Sequence, residues 1–162
     1  VMKRISTVTG DAVKNPSNFL YSIGTSYQEL IDAAGGFKSQ PEKIISGGPM
    51  MGFAMFGLDI PTTKTSSSIL CFTKDEVTQF EPLACINCGR CVEACPEQLI
   101  PSRLAKFATN GLMSEFEKWH GLECIECGSC TFACPSRRQV AQPIKTMKKL
   151  TLAEKRKQAS KK

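Results

Sequence analysis

The sequence predicts an α+β chain in two parts: a small module of strands and helix compatible with a β-grasp arrangement, then a mainly helical part organised around cysteines. Three observations predict it. Residues 1–75 hold one cysteine, whereas residues 83–135 hold eight. Before that break, signals for a strand, a helix and two further strands follow one another in about 70 residues. Beyond it, one fourteen-residue motif occurs twice. The polar stretch 73–82, which ends in Pro82, is where the two parts are expected to join.

In the first part, residues 5–9 read as a strand, and Gly10-Asp11 with Asn15-Pro16 supply turn chemistry. Ser26 followed by Glu29 is a capping-box pattern, and the apolar Leu30, Ile31, Ala33 and Ala34 come next. Gly35-Gly36 end that helix with residues that accept positive φ. Residues 43–46 suit a second strand and residues 67–73 a later one. Between them lies the glycine-rich segment 46–52. It is not G-x-G-x-x-G, and no lysine and hydroxyl pair completes a P-loop, so a turn is expected there. Cys71, between Leu70 and Phe72, reads as a buried, inert thiol on a strand.

In the second part, residues 83–96 read LACINCGRCVEACP and residues 122–135 read LECIECGSCTFACP, identical at nine of fourteen positions after a shift of 39. Residues 102–109 have helical character closed by Asn110-Gly111, and residues 114–119 offer a second short helix. Phe116 and Trp119 are expected to pack that helix, and His120 to be solvated or capping rather than a ligand.

Each run has the spacing C-x2-C-x2-C-x3-C followed by proline. Three thiolates in a tight loop can hold three irons of a cubane, while the fourth cysteine, expected where a helix starts, reaches the other cluster. Two 4Fe–4S clusters are therefore expected: cluster I on Cys85, Cys88, Cys91 and Cys134, and cluster II on Cys124, Cys127, Cys130 and Cys95. Gly89 and Gly128 would let backbone amides approach the sulfurs. Zinc does not account for three close thiolates plus a distant fourth, and disulfides would have to ignore the repeat. With all eight thiolates engaged no iron is free for substrate, which favours electron relay. No catalytic residue and no complete nicotinamide or flavin site is expected within these residues.

The net charge of +6 is unevenly placed. Residues 137–162 carry ten Lys or Arg against Glu154 alone, whereas residues 1–136 sum to −3. Such a tail, with Lys145, Lys148, Lys149, Lys155, Arg156 and Lys157, suits an anionic lipid surface, an acidic partner, or plain solvation. No aromatic platform accompanies the charge, so nucleic acid is not an expected partner. No apolar run reaches membrane-spanning length, no secretory signal opens the chain, and cysteines of this spacing suit a reducing compartment. Val1 rather than methionine comes first, as in a piece of a longer protein.

Gly47-Gly48-Pro49-Met50 with Gly52, the two cysteine runs and Ser136 together give a sequence that resembles the C-terminal portion of the C subunits of Rnf ion-translocating electron-transport complexes. The resemblance covers almost the whole chain. It implies an SLBB-like β-grasp module over 1–75, a helical ferredoxin-like domain with two 4Fe–4S clusters over 76–145, and a basic C-terminal tail over 146–162. It further implies a peripheral subunit on the cytoplasmic face of the bacterial plasma membrane, working with other Rnf subunits and a ferredoxin-type redox protein. FMN and NAD are expected on a region upstream of these residues. The matching portion of a cobalamin reductase of propanediol-utilising microcompartments, and a structural iron–sulfur module, are the alternatives.

Overall fold

The computed structural model describes residues 2–76 and 79–160. The chain divides into two compact units, Val1–Gln79 and Phe80–Lys162.

The first unit is built on strands β1 (Lys3–Thr9), β2 (Ser17–Ser22), β3 (Lys43–Ser46), β4 (Phe53–Met55) and β5 (Ser68–Phe72), with helix α1 (Tyr27–Ala33) between β2 and β3. The sheet order is β2-β1-β5-β3-β4, and only the central β1–β5 pair is parallel. First and last strands side by side at the centre, with a helix between the two hairpins, make this a β-grasp sheet. α1 starts as its sequence dictates. Ser26 accepts from the Glu29 amide at 3.2 Å while Glu29 accepts from the Ser26 amide at 2.9 Å. Gly35 and Gly36 follow in the left-handed region. Tyr27, Leu30 and Ile31 lie one turn apart and share a core with Val8, Ile69 and Cys71 of the central strands.

Two strands lie outside the expected set. β2 pairs with β1 over six positions, from Lys3–Ser22 to Val8–Ser17, yet only Tyr21 of it is buried and Leu20 is exposed. An edge strand with one buried side chain has no clean alternation to read. β4 is three residues long, and residues 46–52 form the turn that joins it to β3. Gly10 is fixed by close approach. Its φ is +121°, and a Cβ there would lie 2.0 Å from the Cys71 carbonyl oxygen.

The second unit carries α2 (Arg90–Glu93), α3 (Pro101–Thr109), α4 (Met113–Lys118), a 3-10 turn (Gly121–Glu123), α5 (Ser129–Phe132) and α6 (Ala141–Ala159). Proline at the first position suits the start of α3, where its missing N–H costs nothing. Leu104, Phe116, Ile144 and Met147 make the apolar centre, each at most 4% exposed. Trp119 packs at its margin, and His120 is exposed and bonded to Glu123 at 2.9 Å. α6 runs without a break through position 145/146, and Met147 and Thr151 beyond it are buried.

One local expectation is corrected. The fourth cysteine of each run does not begin a helix. Cys91 and Cys130, the third of each run, lie inside α2 and α5, while Cys95 and Cys134 come just after those helices end. The next helices begin at Pro101 and Ala141. Pro96 and Pro135 explain it, because the residue before a proline is pushed out of helical geometry.

Candidate metal centre

The sequence repeat is also a backbone repeat. Asn87 and Glu126, Gly89 and Gly128, and Gln98 and Arg137 are pairs 39 residues apart, and all six have positive φ. The hydrogen bonds match too. The Gly89 carbonyl accepts from the amides of Val92 (2.8 Å) and Glu93 (3.2 Å), as Gly128 does from Thr131 (3.0 Å) and Phe132 (3.1 Å). The Gln98 amide donates to the Cys95 carbonyl and the Arg137 amide to that of Cys134, both at 3.1 Å. Left-handed geometry at Glu126, Gln98 and Arg137 has a backbone cost that glycine would avoid. Its recurrence in both copies indicates that the shape of the loop, not the identity of each residue, is what is maintained.

These loops sort the thiols across the repeat. Cys85, Cys88 and Cys91 of the first run line one cavity of about 120 Å³ together with Cys134, the last cysteine of the second. Ser102 and Arg138 also line it. Cys95 is near enough for its negative charge to oppose ionisation of Cys124, and Cys124 and Cys127 act likewise on Cys130. All eight thiols of the two runs are free of disulfides. Cys71 stands apart in the first unit, with burial pushing its thiol up to about 11.

The two groups differ in setting. Cys85 and Cys88 are exposed, whereas Cys130 is 9% exposed and burial pushes its thiol up to about 11. Burial also raises Cys124, against the Glu126 amide, which donates to its sulfur at 3.4 Å, and against the Lys148 charge. A coordinating metal inverts this cost, because thiolate ligation replaces the proton. On α6, Lys148 donates to the Cys124 carbonyl at 2.5 Å and lies 3.7 Å from the Glu126 carboxylate, tying the second loop to the helix.

The residues present fit two iron–sulfur clusters. Among the described residues no three Cys, His, Asp or Glu side chains converge as ligands of one ion would. Thiols spread around a cavity at the first set, and amide donors aimed at the Cys124 and Cys130 sulfurs at the second, suit the faces of a cubane.

Sequence reasoning alone assigns no role at the cysteine loops to Lys148, Ser102 or Arg138. Charge counting groups Lys148 with the surface cations, yet with Ile144, Met147 and Thr151 it follows the helical period of the buried face, which is a usable signal. Lys155, from the same charged group, is paired with Glu117 at 2.5 Å.

A β-grasp unit followed by a helical unit with duplicated cysteine loops defines a class, and comparison with known proteins agrees with it. Residues 5–54 match the SLBB domain family, and residues 84–140 match the 4Fe-4S dicluster domain family. Over the segment that it spans, the chain is similar to the C subunits of ion-translocating ferredoxin:NAD(+) oxidoreductase complexes. It is 50% identical over 115 residues to the C subunit of the proton-translocating complex of Clostridium ljungdahlii, covering 71% of this chain and 25% of that protein. It is 46% identical over 155 residues to the C subunit of the Na(+)-translocating complex of Acetobacterium woodii, covering 96% and 35%. Identity to the C subunit of the ion-translocating oxidoreductase complex of Yersinia pestis is 42% over 109 residues, covering 67% and 18%. The chain thus spans about a third or less of these curated relatives. All three are parts of larger complexes. Among the described residues no helix is long and apolar enough to cross a membrane.

Proposed function

We propose that the chain relays electrons through two 4Fe–4S clusters within an ion-translocating ferredoxin:NAD oxidoreductase complex. In this reading Cys85, Cys88, Cys91 and Cys134 hold cluster I, and Cys124, Cys127, Cys130 and Cys95 hold cluster II. The observation that carries it is the cavity that Cys134 shares with three cysteines of the other run. A bound cluster of this type accepts and releases single electrons. The protein's part is to fix eight thiolates, aim amide donors at sulfur and keep water from Cys130. Two full sets of four thiolates leave no open coordination position, so relay rather than substrate activation is the chemistry supported.

The partners in this proposal are the other subunits of the complex and a ferredoxin-type redox protein, with peripheral attachment at the cytoplasmic face of the bacterial plasma membrane. Lys145, Lys149, Arg156 and Lys157, on the same helix as the tethered Lys148, supply charge for an acidic partner or an anionic headgroup.

The test is made on anaerobically purified protein. About eight irons and eight sulfides per chain, with both clusters reduced and reoxidised reversibly, is the expected result. Stoichiometric zinc after expression with adequate iron, or clusters that fail to cycle, would sink the reading.

A further inference from the structure

Because one loop template is used twice, residues 39 apart can be compared site against site. Ser102 and Arg138 line the first cavity. Their counterparts by the 39-residue shift are Ala141 and Leu99, apolar residues of the core that thiols of both sets reach. The second site also has a cation, Lys148, but its charge is set against Glu126 at 3.7 Å. Arg138 is partly exposed, and among the described residues no carboxylate lies within ion-pair distance of it. Among the described residues it is the one lining the first cavity that carries a fixed charge.

We propose that Arg138 sets the order of the two reduction potentials, making the cluster held by Cys85, Cys88, Cys91 and Cys134 the easier to reduce. The inference rests on the relay reading and adds the place where a transferred electron comes to rest. Reduction by a one-electron donor, such as dithionite or a reduced ferredoxin, adds one negative charge to the cluster and changes no ligand. An unpaired cation stabilises that added charge, and so does water at the exposed Cys85 and Cys88. The Ser102 hydroxyl can add a hydrogen bond to sulfur. The second site, with Leu99 and Ala141 in those places and Cys130 buried, offers the added charge less. Arg138 is thus a positioning residue for the electron: it selects which site is filled first and is not a ligand.

The experiment is a redox titration of the full-length protein to which this chain belongs, followed by electron paramagnetic resonance, comparing the parent with Arg138→Gln and Arg138→Lys. In Arg138→Gln the signal that emerges at the higher potential in the parent should move down. The ratio of the two reduced clusters should then change about tenfold, about 59 mV for one electron. The other signal should move by less than half as much, and Arg138→Lys should restore most of the difference. Iron content separates the two levels of inference. A parent without two reducible clusters defeats the relay reading itself. Full iron with both potentials unmoved, or moved equally, overturns the role of Arg138 alone. Should Arg138→Gln lose iron, Arg138→Met, which keeps the apolar stem, takes its place. Iron loss in both would make Arg138 a structural residue and overturn the proposal.

Discussion

Crossed ligation makes a prediction that local ligation does not. Disabling the second site with Cys124→Ser and Cys127→Ser leaves the first cavity as the only complete set of thiols, and about four irons per chain should remain. In that background Cys134→Ser removes one wall of the same cavity that Cys85, Cys88 and Cys91 line. The iron left without a thiolate is the labile one, so the cluster should convert to a three-iron form or be lost, with the content falling from about four to about three or to none. Cys95→Ser touches the set already disabled and should leave about four. Cys124, Cys134 and Cys95 pack against the core of Leu104, Phe116, Ile144 and Met147, so each variant must be shown to fold before its iron is compared. The Lys148 tether holds the backbone carbonyl of residue 124, not its side chain. Iron and sulfide analysis with circular dichroism as the folding control decides it. Iron lost with Cys95→Ser and retained with Cys134→Ser would refute the reasoning and mean that each run serves its own cluster.

Further outcomes follow from the first unit. Cys71 lies outside both sets, so Cys71→Ala should keep full iron. With its thiol pushed up to about 11 from an ordinary value of 9.0, alkylation in the native chain should be at least about a hundredfold slower than in denaturant, as mass spectrometry would show. The same shift gives a sign for stability. The folded thiol stays protonated while the unfolded one ionises, so its contribution is intact below about pH 9 and is lost as pH rises towards about 11. A Cys71 that reacts equally fast in both states would show that β5 is open. Gly10→Ala faces both a φ of +121° and backbone atoms of Cys71, so it should destabilise this unit by more than about 3 kcal/mol in thermal unfolding. An unchanged melt would mean that the chain crosses β5 differently.

What could be read from the residues depended on whether a local rule and the tertiary environment agreed. The capping box at Ser26 and Glu29, the Gly35-Gly36 stop and the strand around Cys71 are cases where one local rule decides, and the structure follows them. The thiol runs were legible because ligand spacing is set by the cluster and not by the fold. β2 was not legible, because its identity comes from pairing with β1 and not from its own alternation. Nor did composition reveal the left-handed backbone at Glu126, Gln98 and Arg137. Those residue types do not favour it, and only closure of the loop enforces it. Lys148 shows the opposite error. A count of charge assigns it to solvent, whereas its helical phase places it over the second loop.

The wall that Cys134 contributes to the first cavity also bears on biosynthesis. A nascent chain that ends after residue 91 and before residue 134 offers that cavity three thiols from its own run and no fourth. Under the proposed ligation the first loop therefore waits, complete in sequence, until about forty further residues have been made and α5 has formed. Metal insertion is in this sense a checkpoint on synthesis. Under the proposed crossed ligation, a product that ends between the two runs completes neither set of four thiolates.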